Sequence, residues 1–77
     1  MTEEARMSEH ESLGTALPAE IARVRDEVLP IYLEAGPPGA FAVAMMRADL
    51  ARASKAMIEG DLPAMITVYK SLKGYTL

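Results

Sequence analysis

The residues able to do chemistry are few and lie far apart along the chain. His10 is the single histidine and sits between Glu9 and Glu11. A histidine among carboxylates binds a divalent metal weakly, and without a second imidazole or a thiolate the site is not specific. It reads as a solvated side chain. Asp49 lies at the margin of an apolar seam, and Arg52 follows three residues later. Within one helix that spacing makes an ion pair worth only a few tenths of a kcal/mol when exposed. A catalytic carboxylate would need a second converging acid or base, and none is spaced to provide it. Gly36-Pro37-Pro38-Gly39 precedes a helical pattern, and a glycine-rich turn can cradle a phosphate or carboxylate. The nucleotide-binding versions need a preceding strand and, for the P-loop, a lysine after the loop; this turn has neither. With no nucleophile beside a base, no metal cluster and no paired carboxylates, the residues point away from an enzyme, and no cofactor is implied.

Composition narrows the classes further. A chain of 77 residues makes one domain, whose single core is marginal unless something supplements it. There is no cysteine, which removes disulfides and thiolate metal sites. Of the usual supplements, oligomerisation is the one left open. The apolar fraction of 51% is that of a folded protein, and the many Ala and Met residues suit closely packed helices. The net charge of −3 is concentrated at the start, where Glu3, Glu4, Glu9 and Glu11 face Arg6 alone. Residues 17–77 are balanced, which argues against a nucleic-acid binder needing a basic face. The longest apolar run, Ala40 to Met46, is far below the roughly 20 residues of a membrane span. The acidic N-terminus does not resemble a signal peptide, so the expected compartment is the cytoplasm. Met7 is an alternative start, which would leave the first six residues outside the protein.

The spacing of apolar residues predicts a small all-α protein, a three-helix up-down-up bundle with helices at about 18–35, 37–59 and 61–73. Residues 1–16 form a polar acidic N-terminal segment, mobile or partly helical, and 17–77 a single helical domain. In that segment Ser8 and Glu11 have capping-box spacing, and Gly14 would end any short helix there. The first helix opens at Pro18, with Leu17, Ile21, Val24, Val28 and Ile31 as its stripe. Pro30 cannot donate to Asp26, so a kink is expected near Val28 to Pro30. Gly36 ends this helix, Pro37 begins the next, and Gly60 stops that one. Asp61 caps the third, whose stripe is Leu62, Met65, Tyr69 and Leu72 with Ile66 beside it.

The middle helix carries two apolar stripes. Val43, Met46, Leu50, Ala53 and Met57 form a packing seam. Nearly opposite lie Phe41, Met45 and Ala48, before that side turns charged at Arg52, Lys55 and Glu59. A helix apolar on both sides must be buried on both, and a chain this short has little with which to cover it. Either the third helix folds over Phe41 and Met45, or a second molecule does. Met46, Met57 and Met65 fill the core, whereas Met45 is open to either role. Tyr32 and Tyr75 are amphipathic side chains that suit an interface, and Tyr75 lies in a terminal Gly-Tyr-Thr-Leu able to dock on a partner or to fray.

Ala56 to Leu72, AMIEGDLPAMITVYKSL, resembles the turn and second helix of a tetratricopeptide repeat, with Gly60-Asp61 at the turn and Ile66 and Tyr69 at similar places. No second copy occurs at a period of about 34 residues, and the Trp-Leu-Gly of the family's first helix is absent. The family's peptide-binding groove is therefore not carried over. The residues favour a non-enzymatic protein that works by protein association, as a homodimer or as an adaptor for another protein, through Phe41, Met45, Ala48, Tyr32 and Tyr75. The alternatives are a helix-turn-helix transcriptional regulator, for which Lys70 and Lys73 are the only basic residues on the third helix, and a binder of a small apolar ligand between helices.

Overall fold

The computed structural model describes the backbone of residues 2–77 and the side chains of 13–77. The side chain of His10, read above as solvated, lies outside the described residues. Three helical arms form an all-α bundle. The first comprises α1 (Thr2–Arg23), a π-helical turn (Val24–Val28) and α2 (Leu29–Glu34). A 3-10 turn, Pro37–Gly39, leads into α3 (Ala40–Glu59), and α4 (Leu62–Lys73) returns alongside it. α1 packs on α4, whereas α2 packs on the N-terminal part of α3.

The first arm departs from the expected 18–35. α1 begins upstream and runs through both Gly14 and Pro18, so Gly14 does not end a helix and Pro18 does not begin one. A proline here deprives the carbonyl of Gly14 of its donor, but Gly14 is exposed and that carbonyl is open to water. The kink expected at Val28 to Pro30 is present as the π turn, in which the N–H of Leu29 donates to the carbonyl of Val24. Because such a turn inserts a residue, the buried face rotates by about 100°. Leu17, Val24 and Val28 are buried as expected, but burial then passes to Leu29 and Tyr32, and Ile31 is left half exposed.

The other punctuation follows local backbone needs. Gly36 has φ 74° and Gly60 has φ 66°, values that residues with a Cβ rarely adopt. At Gly60 the N–H of Asp61 donates to the carbonyl of Ala56 at 3.0 Å, the long bond of a Schellman ending. Asp61 then caps α4 by accepting from the N–H of Ala64 at 3.2 Å. Pro37 starts a 3-10 turn rather than α3 itself, which begins at Ala40.

α3 buries Val43, Met46, Ala53 and Ala56, with Leu50 and Met57 packed beside them, so the expected seam holds. On α4 the stripe is rotated. Met65, Val68 and Leu72 are buried, Tyr69 packs at the edge, and Leu62 and Ile66 are exposed. The larger apolar side chains were expected inside, but the line of contact with α3 and α1 runs through Val68.

α2 and α3 meet closely at Gly39, where a Cβ would collide with the carbonyl oxygen of Tyr32. Gly39→Ala should therefore push the two helices apart and destabilise the protein by about 1–3 kcal/mol. A thermal melt checks this; an unchanged midpoint would mean that the approach at Gly39 relaxes freely.

Candidate interaction surface

α3 turns one side to solvent between its two neighbours. Phe41 is 77% exposed and Met45 is 44% exposed, and Ala48 is exposed with them. α4 therefore does not fold over this side, which excludes the internal alternative. The three residues lie one turn apart on one face of the helix.

The apolar surface continues onto α2. A shallow cleft of about 350 Å³ is lined by Leu33, Pro37, Ala40, Val43 and Ala44, among others, on the flank of α3 next to the Phe41 line. Leu33 is half exposed there, and Arg47 bounds the patch. Leu33 and Pro37 were not among the interface candidates. Their place in the patch depends on the bend of the first arm, which sequence spacing registers only as a kink.

Tyr32 and Tyr75 are engaged within the chain instead. The Tyr75 hydroxyl donates to Oδ2 of Asp49 at 2.7 Å, and the Tyr32 hydroxyl donates to the carbonyl of Thr76 at 3.0 Å. Both rings pack against the core. The segment after α4 thus folds back over α3 and α2, so Tyr75 neither frays nor reaches outward. Arg23 adds a third tie, donating to the carbonyl of Leu72 at 3.0 Å.

Asp49 is the buried charge of this region, 3% exposed. Its Oδ2 is satisfied by Tyr75, while its Oδ1 faces the Arg52 guanidinium, the expected partner three residues on. Oδ1 receives no hydrogen bond of regular geometry, yet the adjacent cation compensates its charge. Burying a carboxylate without such partners would cost several kcal/mol. The arrangement makes a clasp: Asp49 on α3 anchors the returning chain, and Arg52 carries the charge out to solvent.

Two further ion pairs tune ionisation without forming a site. Hydrogen bonding to Glu20 raises the Arg23 pKa. The exposed Arg25 guanidinium, at 2.7 Å, holds the Asp26 carboxyl below its ordinary range. Among the described residues no group of three histidine, cysteine or acidic side chains could hold a metal.

A second cleft, of about 540 Å³, opens between the C-terminal half of α3 and α4. Ala56, Ala64 and Val68 contribute apolar lining, with Arg52, Lys55, Glu59 and Asp61 also around it. It is an open groove of mixed charge, and the space between the helices is filled by Leu17, Met46, Ala53 and Leu72, all fully buried. Ile58, 85% exposed, was missed as a surface residue because nothing in the spacing distinguishes it from the seam beside it. No helix of the described residues is long and apolar enough to cross a membrane. The chain matches no family model, no curated protein and no solved structure.

Tyr75→Phe should leave one oxygen of Asp49 buried without its donor, at a cost of about 1–3 kcal/mol. The melting midpoint should fall by about 4–8 °C for each kcal/mol lost. Equal midpoints for variant and parent would show that the hydroxyl contributes nothing to the clasp.

Proposed function

We propose that this chain acts by protein association and that its primary partner is a second copy of itself, held through the Phe41 side of α3. The observation carrying this reading is the exposure of Phe41, 77%, on a helix whose other side is fully used. A lone exposed apolar residue is ordinary, but Phe41 continues into Met45, Ala48 and the α2–α3 cleft.

No comparable observation favours DNA binding. Lys73 lies 5.5 Å from the Tyr69 ring centroid, and α4 carries one further cation in its last turn, Lys70.

Burying Phe41 contributes roughly 1.5–3 kcal/mol per side chain before the entropy of association is subtracted. Light scattering coupled to size-exclusion chromatography, across a hundredfold concentration range, should give a dimer. Phe41→Ala should raise its dissociation constant by about tenfold or more. The far-UV circular dichroism should stay unchanged, because Phe41 hardly contributes to the monomer's core. A strictly monomeric parent, or a variant with unaltered mass and melting midpoint, would overturn the proposal.

A further inference from the structure

We infer that α2 is a two-register element and that the segment after α4 holds it in the register observed. Counted at about 100° per residue from Val24, a regular α-helix brings Val28, Ile31 and Ala35 to within about 40° of the buried stripe and sends Leu29 about 140° away. One inserted residue turns everything beyond it back by about 100°, so Leu29 and Tyr32 take those places and Ile31 faces about 120° outward. The structure holds this second pattern. Leu29 is 8% exposed and Tyr32 packs on the core, while Ile31 is 49% exposed. Each register offers the bundle an apolar stripe, Val28, Leu29 and Tyr32 with the π turn, and Val28, Ile31 and Ala35 without it.

Two features hold the observed register. Pro30 has no N–H for the carbonyl of Asp26, and its ring would crowd that carbonyl in a regular helix. The Tyr32 hydroxyl donates to the carbonyl of Thr76 at 3.0 Å, a bond that exists only while Tyr32 faces the chain returning from α4. Tyr75 fastens that chain to Asp49 on α3, which keeps the Thr76 acceptor in place. Against these stand the π turn itself, a form that helices adopt rarely, and Ile31, whose burial would offset that of Leu29.

Displacing the segment after α4 removes the acceptor and frees α2 to turn by one residue. Two packings of one sequence are then exchanged, and the tie from Thr76 biases which is populated. The cleft beside α3 changes with the register, because Tyr32 and Leu33, which line it, both rotate away. This inference does not rest on self-association.

The chain's four isoleucines, Ile21, Ile31, Ile58 and Ile66, make the register readable. Spectra of the full-length chain with labelled isoleucine methyls, recorded with a soluble paramagnetic agent, report which methyls face solvent. In the parent, Ile31 should broaden as the comparably exposed Ile66 does. In Pro30→Ala/Tyr32→Phe, which removes both holds, Ile31 should lose most of that broadening while Ile58 and Ile66 keep theirs. An Ile31 methyl still broadened as in the parent would overturn the proposal. Should the double variant fail to fold, Tyr32→Phe alone decides: loss of the tie should add microsecond-to-millisecond exchange at the Ile31 methyl that Ile58 does not show. A flat relaxation-dispersion profile at Ile31 in that variant would overturn the proposal equally.

Discussion

Pro30 has no N–H to give to the carbonyl of Asp26, and the way the backbone absorbs that loss shapes the rest of the bundle. Instead of breaking, the first arm takes a π turn at Val24–Val28 and continues as α2. A single straight helix over residues 2–34 would be about 50 Å long and would flank one neighbour only. The turn lets the same arm serve two, α1 lying on α4 and α2 on α3. Val28 and Leu29, where the turn passes into α2, are both buried in the core. The division of labour leaves α3 flanked on two sides and bare on the third.

Where one residue type has a unique backbone role, the sequence was informative. The positive φ of Gly36 and Gly60, the cap at Asp61, the irregularity near Pro30 and the Val43–Met57 seam were all legible on those grounds. What could not be read depends on partners distant in the chain. Ile31 looked internal because its spacing was counted through a regular helix, and the inserted π residue turned it outward. Leu62 and Ile66 looked internal by size, yet the smaller Val68 lies on the line of contact. Pro18 was read as a helix start because that is where proline costs least, whereas an exposed Gly14 carbonyl makes its interior position tolerable. The same contrast applies to the surface. Phe41 and Met45 stood out by lying opposite the seam, but Tyr32 and Tyr75 could be assigned only once the chain after α4 was seen to fold back.

Asp49 illustrates how a helix in a small bundle carries a charge on its buried side. The carboxylate is shielded from solvent on α3, where an apolar residue of similar volume would often be at least as stable. Its benefit is directional: a carboxylate accepts a hydrogen bond along defined lone pairs and so fixes where the Tyr75 ring lies. Arg52 meets the remaining oxygen without entering the core, since its side chain is 64% exposed. Together they give the chain beyond α4 one seat in place of many, a specificity that apolar packing alone supplies less sharply.

The ties that close this bundle also have a temporal meaning. Helical hairpins such as α3–α4 assemble from contacts close in sequence, and such contacts form early because little chain must be ordered to make them. Arg23 to Leu72, Tyr32 to Thr76 and Tyr75 to Asp49 span 49, 44 and 26 residues. The first two can form only once the first arm has docked, whereas Tyr75 to Asp49 lies within the α3–α4 hairpin and its tail. Contacts that form after the folding barrier slow the departure from the native state more than they hasten arrival, and the ties between the first arm and the chain end are the ones whose long spans place them there.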